Sequence, residues 1–221
     1  MQDTEHTNEW VNWIEEAVDK EYFKYYEYNQ FNNIQHIGTG GFGKVYRANW
    51  KRSEKQFALK SFFSLDNVTV KEIVRELKIQ REVDFHDNII RCYGITKFET
   101  DNRNNYWLVM EYADGGSLRC YLKENFTKLS WDDKYKMAYQ LSCAVSCLHN
   151  EGIVHRDLHS SEQYDIGLAL DISQGHRETV VPGTPDEYVK IYTKCWDGEP
   201  DNRPTIYQVV DWLNAIITKK D

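Results

Sequence analysis

The chain has 221 residues, enough for one domain or for two lobes that share a cleft. Its net charge of −8 and pI near 5.4 exclude the basic surface that a nucleic-acid groove needs. It contains no apolar run of about 18 residues, and its acidic, polar start resembles no secretory or transit signal. Five widely spaced cysteines, an odd number, do not suit a disulfide framework. We therefore expect a cytoplasmic or nuclear protein that binds neither nucleic acid nor membrane.

The first predicted element is an aromatic-rich helix from about Asn8 to about Asn29, within an N-terminal segment of residues 1–30. Two interpretations of this helix remain open. It packs on the lobe that follows, or it binds a partner protein. Its apolar positions recur at helical spacing: Trp10, Ile14, Ala17 or Val18, and Tyr22.

From Phe31 to Phe63 the pattern changes to short strands around the glycine-rich turn G-T-G-G-F-G-K-V. Gly38, Gly40 and Gly43 have the G-x-G-x-x-G spacing, which lets backbone amides approach phosphates without side-chain obstruction. Dinucleotide-binding folds place such a turn between a strand and a helix. Here the residues after the turn alternate like a strand, so the sequence predicts a β-hairpin lid.

A lysine and a glutamate follow at a spacing that suits a pair. Lys60 ends the strand-like segment F-A-L-K, and Glu76 lies on a helix predicted to run from Thr69 to about Val83 behind a T-V-K-E capping box. In a cleft, such a glutamate positions the lysine ammonium on nucleotide phosphates. Two other glutamates of this helix, Glu72 and Glu82, are alternatives, and we favour Glu76.

The second half of the chain is predicted to be helical. Strands at 92–95 and 107–110 lead into the polar connector E-Y-A-D-G-G, and only helices and loops follow it. A strand-rich lobe joined by a short hinge to a helical lobe is an α+β arrangement. Ser130 is the predicted N-cap of the longest helix, and a T-P-D-E capping box is predicted at 184–187. The predicted helices cover 118–126, 130–149, 164–173, a segment after 184, and a last segment from 205.

The helical half also contains the triplet H-R-D at 155–157. The glycine turn, the A-L-K segment, the helix glutamate, the connector and this triplet together resemble the protein kinase superfamily, from about Phe31 to Leu158. The resemblance implies a two-lobed fold, with residues 31–110 as a β-rich N-lobe and 111–217 as the hinge and an incomplete helical C-lobe. It also implies ATP-dependent transfer of the γ-phosphate to protein hydroxyls.

The resemblance assigns candidate site residues. Lys60, Glu76 and Asp157 are the catalytic candidates, with Asp157 accepting the proton of the substrate hydroxyl. By this resemblance Met110 would be the gatekeeper, and Ile37, Val45 and Ala58 would sandwich the adenine. Backbone groups of Glu111 and Ala113 would bond the adenine edge. The ATP-binding candidates are Ile37, Gly38, Gly40, Gly43, Val45, Ala58, Lys60, Met110, Glu111 and Ala113.

The family's metal-binding residues are missing after the triplet. Glu162 stands where the family has an asparagine, and no DFG aspartate follows at the position that the resemblance implies. We therefore predict no metal site, although the family uses Mg²⁺. The D-I-G-L-A segment at Asp165 looks like a substitute for the missing DFG motif. It lies too close to Asp157, however, because two short strands separate the H-R-D and DFG aspartates in the family.

The C-terminal segment C-W-D-G-E-P-D-N-R-P-T at 195–205 resembles the C-W-x-x-x-P-x-x-R-P segment of tyrosine-kinase and tyrosine-kinase-like domains. This places an internal deletion near Ser160–Ser161, removing the activation segment and the central helix. Arg203 would then be solvent-facing or paired locally, and the back lobe less stable than the front lobe. Without the central helix, four residues must repack or leave apolar surface exposed: Trp131, Leu141, Trp196 and Trp212.

Four interpretations of function remain open. The chain is an ATP-binding kinase domain with impaired transfer, or a pseudokinase-type nucleotide-binding or protein-interaction module. It is an active enzyme in which Asp165 or Glu162 takes the metal, or a defective gene product. The hydroxyl preference is also open, because His159 replaces the lysine typical of serine/threonine kinases and the tyrosine-kinase version of the loop is not present.

Overall fold

A computed structural model describes residues 2–41, 43–51, 53–63, 67–100, 103–155, 158, 166–177 and 179–219. The chain divides into two compact units, Met1–Asp114 and Gly115–Asp221. The first unit contains a six-stranded sheet and the second is helical. The fold class is therefore α+β, as predicted. None of the helices in the described ranges combines the length and apolarity needed to cross a bilayer.

The sheet of the N-terminal unit has the strand order β1-β5-β6-β4-β3-β2. Neighbouring strands are antiparallel, except that β1 pairs with β5 in parallel. A short 3₁₀ helix at Tyr28–Gln30 precedes β2. The elements are α1 (Gln2–Asp19), β1 (Lys24–Tyr26), β2 (Phe31–Thr39), β3 (Gly43–Trp50), β4 (Gln56–Phe62), α2 (Asn67–Val83), β5 (Cys92–Thr100) and β6 (Arg103–Glu111).

The N-terminal helix is shorter than predicted and lies closer to the N-terminus, because α1 begins at Gln2 and ends at Asp19. Glu21 has a left-handed φ of 56°, which helical residues do not adopt. The aromatic run after it favours extended structure and forms β1. This strand comes so close to β5 that a side-chain carbon at Gly94 would lie 1.9 Å from the Lys24 carbonyl oxygen. Glycine at this position therefore permits the parallel pairing.

Each face of the sheet carries its own apolar cluster. The first cluster lies on the face covered by α1 and α2, and the second consists of strand residues and aromatic rings on the other face. Leu59 belongs to the second cluster, so its neighbours Ala58 and Lys60 point to the helix-covered face. The helices and sheet meet at Ile14, Ala17, Phe23, Val70, Ile73, Val74, Leu77, Cys92, Ile95, Tyr106 and Leu108.

The C-terminal unit packs its helices around Tyr135, Ile191, Leu213 and Ile216. Ser130 caps the N-terminus of its longest helix in a capping box with Asp133, as predicted. The helices are α3 (Leu118–Asn125), α4 (Trp131–Asn150), α5 (Ile166–Ser173), α6 (Asp186–Cys195) and α7 (Ile206–Thr218), with a 3₁₀ turn at Pro200–Asn202.

Two predicted helix starts were wrong. Helix α2 begins at Asn67, so Thr69 lies inside the helix and is not its N-cap. Helix α6 has Pro185 as its N-cap, without a side-chain cap bond. The Thr184 hydroxyl donates instead to the carbonyl of Val181, at 2.7 Å. At Thr184 the error arises because a threonine hydroxyl can satisfy a nearby carbonyl of its own turn rather than a helix amide.

An apolar cavity of about 500 Å³ opens within the C-terminal unit. Trp131, Leu141 and Trp196 are on its wall, and Leu141 and Trp196 are 43% and 38% exposed. Part of the apolar surface predicted to be left uncovered is therefore uncovered. Arg203 is exposed, and its Nε donates to the Asp197 carbonyl at 2.9 Å, which is the predicted local pairing.

Candidate functional site

The strand register brings four of the predicted ATP-binding residues to one face of the sheet. On β4, Ala58 and Lys60 are two positions apart and share a face. Val45 of β3 pairs with Lys60, and Met110 of β6 pairs with Ala58. Directly paired residues share a face. Met110 packs against the apolar cluster that includes α2, so the four side chains lie on the helix-covered side.

Helix α2 brings a carboxylate to this face. The Lys60 Nζ lies 3.2 Å from Glu76 Oε1, and the two side chains are 30% and 36% exposed. Glu72 and Glu82 pair with arginines of their own helix, so the structure selects Glu76 as the partner. A pair this exposed stabilises a fold by only about 0–1 kcal/mol. Its significance is the fixed position of the ammonium.

The glycine turn connects β2 and β3 as the predicted hairpin. Its glycines differ in how much space a side chain would have. A side-chain carbon at Gly43 would lie 1.7 Å from the Ser61 carbonyl oxygen of β4, whereas at Gly38 and Gly40 it would meet no atom within 4 Å. The Gly40 amide donates to the Gly43 carbonyl at 2.9 Å. The turn therefore leaves open space over Gly38 and Gly40.

Ile37 occupies an irregularity of β2 that the sequence did not indicate. His36 pairs with Tyr46 and Gly38 pairs with Val45, so Ile37 is an extra residue between two ladder pairs. Such a bulge turns a side chain away from regular alternation. The Ile37 side chain is 48% exposed. Its predicted contact with adenine remains a prediction.

The connector begins where β6 ends. The Glu111 amide donates to the Arg91 carbonyl at 2.9 Å, and its carboxylate accepts from the Arg91 amide at 3.3 Å. The Glu111 amide is therefore engaged within the unit, so the adenine contact predicted for this residue would use its carbonyl oxygen. Ala113, the other predicted contact, is exposed two residues later. Sequence analysis missed the role of Arg91, because its backbone makes these bonds and any residue type supplies a backbone.

The predicted catalytic Asp157 lies outside the described residues, as do Glu162 and Asp165. Their predicted roles therefore remain predictions. Within the part of the chain that the structure describes, no three His, Cys, Asp or Glu side chains are grouped closely enough to hold a metal ion.

Comparison with known families adds to this geometry. The sequence profile of the protein kinase domain matches residues 31–163, which include the glycine turn, Lys60, Glu76 and the H-R-D triplet. The chain belongs to the protein kinase family. Protein kinases use ATP and Mg²⁺ to transfer a phosphoryl group to protein hydroxyls.

Curated protein kinases align with much of the chain. The probable serine/threonine-protein kinase zyg-1 of Caenorhabditis briggsae is 35% identical over 203 residues, 84% of this chain and 26% of that protein. A probable serine/threonine-protein kinase of Dictyostelium discoideum is 31% identical over 167 residues, 68% of this chain and 17% of its own length. The leaf rust 10 disease-resistance locus receptor-like protein kinase-like 1.3 of Arabidopsis thaliana is 28% identical over 202 residues, 85% of this chain and 28% of its own length. The chain thus spans less than a third of each of these relatives.

Proposed function

We propose that the chain binds ATP through its N-terminal unit and transfers the γ-phosphate to protein hydroxyls weakly or not at all. The observation that carries the binding half is the Lys60–Glu76 pair, 3.2 Å apart on the sheet face that Val45, Ala58 and Met110 share. The sequence after the H-R-D triplet carries the other half, because the family's metal ligands are not at their expected positions.

The described residues fit a nucleoside triphosphate. An ammonium has three N–H donors, and Glu76 takes one, so Lys60 retains donors for phosphate oxygens. The open space over Gly38 and Gly40 lets phosphates approach the backbone of the turn without side-chain obstruction. Val45 and Ala58 would pack on one face of the adenine, with Ile37 beside them. The backbone of Glu111 and Ala113 would bond the adenine edge.

The expected loss of transfer follows from the missing ligands. In the family, Mg²⁺ neutralises charge on the transferring phosphoryl group, and a metal ion supplies several kcal/mol of such stabilisation. Each 1.4 kcal/mol corresponds to about tenfold in rate, so the loss costs on the order of 10³-fold or more. Asp157 would still accept the hydroxyl proton, but a proton acceptor does not replace a cation.

An internal deletion is our explanation for these missing residues. The family match ends at residue 163, close to the proposed junction at Ser160–Ser161. The uncovered cavity wall at Leu141 and Trp196 is also what removal of a central helix would leave. The uncovered cavity wall supports the deletion independently of the catalytic motifs, whereas the end of the family match reflects the same missing residues.

Calorimetric titration of the whole chain with ATP tests the binding half. We expect binding in EDTA as well as in Mg²⁺, and at least about a tenfold loss of affinity in Lys60→Met, because a charged hydrogen bond is removed. The matched control is Lys71→Met, an exposed lysine of α2. Affinity that requires Mg²⁺ would instead favour the enzyme in which Asp165 or Glu162 binds the metal.

The alternative function is a pseudokinase-type protein-interaction module that needs no nucleotide. The apolar cavity of the C-terminal unit favours it, because exposed apolar surface of this kind marks interaction sites. Failure of ATP to bind in either EDTA or Mg²⁺ would select this alternative over the proposal.

A further inference from the structure

We propose that helix α1 is a backstop for α2 that holds Glu76 at the Lys60 ammonium, so that α1 controls nucleotide affinity without touching the nucleotide. This inference rests on the proposed function of the Lys60–Glu76 pair. It makes Ile14 a positioning residue for the ATP site.

The two helices share a continuous apolar interface. Ile14 and Ala17 of α1 are only 1% and 3% exposed. They belong to the same cluster as the α2 residues Val70, Ile73, Val74 and Leu77, which are all at most 2% exposed. Strand residues complete this cluster, so α1 and α2 contact each other and both pack on this face of the sheet.

Charged residues of α2 show which of its faces α1 covers. The Lys78 Nζ lies 5.0 Å from the Trp13 ring centroid and 5.9 Å from that of Trp10. The Arg81 guanidinium lies 5.3 Å from the ring of Tyr22, just after α1. At about 100° per residue, Lys78 and Arg81 are turned by roughly 160° and 140° from Glu76 around the helix axis. Helix α1 therefore contacts the side of α2 opposite Glu76.

The backstop is itself fixed to the sheet that carries Lys60. The Tyr106 hydroxyl of β6 donates to the Glu15 carboxylate of α1, at 3.3 Å. Burial, and then the nearby Glu15 carboxylate, raise the pKa of Tyr106, so this hydroxyl keeps its proton. The chain leaving α1 enters the sheet as β1, where Lys24 pairs with Gly94. Both attachments prevent α1 from moving away with α2.

The pair needs such support because an exposed ion pair is too weak to hold a helix in place. Without α1, the apolar side of α2 that α1 covers would be exposed to water, and α2 would lose the surface that opposes its movement away from Lys60. Glu76 would then meet Lys60 in only a fraction of molecules. The apparent dissociation constant for ATP rises in inverse proportion to that fraction.

The test is calorimetric titration of the full chain with ATP, at a temperature well below unfolding. We expect Glu76→Gln to raise the dissociation constant roughly tenfold, the usual effect of losing a charged hydrogen bond. Ile14→Ala should raise it about three- to tenfold by the population effect. In the Glu76→Gln background, Ile14→Ala should change the constant by less than about twofold, because there is no pair left to position.

Two further variants separate positioning from general destabilisation. Phe31→Ala removes a buried ring from the other apolar cluster, away from α2, and should lower the melting temperature without changing ATP affinity. Ile14→Val removes one methyl group and should fold, which covers the case in which Ile14→Ala does not. It should raise the dissociation constant by less than Ile14→Ala and only while Glu76 is present, so an equal rise in the Glu76→Gln background would overturn the proposal.

The outcomes are distinguishable. If Lys60→Met binds ATP as tightly as the unaltered chain, the proposed function fails. If Lys60→Met loses affinity but Ile14→Ala does not, the backstop is overturned. The backstop is also overturned if the fold-changes in the dissociation constant for Ile14→Ala and Glu76→Gln multiply in the double variant. Such independence would mean that α1 does not act through the Lys60–Glu76 pair.

Discussion

Two glycines of the same turn test the strand register and the proposed ATP site, because replacing each of them with alanine should have a different effect. Gly43 lies where β3 passes β4, and a side-chain carbon there would be 1.7 Å from the Ser61 carbonyl oxygen and 2.9 Å from the Phe62 Cα. Both obstacles belong to the backbone of a paired strand, which cannot rotate aside. At Gly40 the added carbon would meet no atom within 4 Å.

These distances set the expected magnitudes. Gly43→Ala must push β3 and β4 apart at the end of their ladder, and such overpacking costs about 1–3 kcal/mol. For a unit of this size, each kcal/mol lowers the melting temperature by about 4–8 °C, so we expect a fall of roughly 5–20 °C. Gly40→Ala should leave the melting temperature unchanged or raise it slightly. It should weaken ATP binding about tenfold, because the methyl group obstructs the approach of phosphates.

The assay is a thermal melt of each variant with and without saturating ATP, with affinities from calorimetry. Gly41→Ala is a second open position of the same turn and lies outside the G-x-G-x-x-G glycines, so it serves as the control for Gly40→Ala. A Gly43→Ala variant as stable as the unaltered chain would refute the β3–β4 register. Unaltered ATP affinity in Gly40→Ala would refute the role of the turn.

Three further predictions concern stability and the apolar cavity. Burial raises the pKa of the Cys92 thiol to about 12. The folded state therefore keeps a proton that the unfolded state loses above about pH 9, and the free energy of unfolding should fall between pH 9 and 12 by about 3–4 kcal/mol. Urea unfolding at stepped pH should show a smaller fall in Cys92→Ala, and equal falls would contradict the burial. Ser130→Ala removes the α4 cap and should cost about 1 kcal/mol by urea unfolding, so no loss would contradict the capping box. Ala138→Leu should fill part of the cavity and reduce the fluorescence of bound anilinonaphthalene sulfonate, whereas unchanged fluorescence would contradict the cavity.

Local patterns in the sequence predicted the strands of the glycine hairpin, the cap at Ser130 and the pairing of Lys60 with Glu76. The hairpin and the cap depend on residues close in sequence. The Lys60–Glu76 pair joins β4 to α2 and was predicted from the spacing of motifs along the chain. The boundary of α1 was not predicted, because apolar residues at helical spacing continue to Tyr22 while Glu21 turns the chain into the left-handed region. A single residue's backbone conformation does not appear in a periodic pattern.

The packing of α1 on the lobe that follows it was only one of two interpretations of the N-terminal segment. Its apolar stripe indicated that something covers it, but a stripe does not identify its partner. The bulge at Ile37 and the backbone bonds of Arg91 were not predicted for a related reason. They depend on register between strands, which is set by tertiary packing rather than by side-chain type.

The most direct test of the central claim is γ-phosphate transfer by the purified chain to a generic protein substrate with Mg²⁺-ATP, beside an Asp157→Asn control. We predict no transfer above the control, together with thermal stabilisation by ATP that Lys60→Met abolishes. Transfer clearly above the Asp157→Asn control would contradict the account, because it would mean that other carboxylates, such as Glu162 or Asp165, hold the metal.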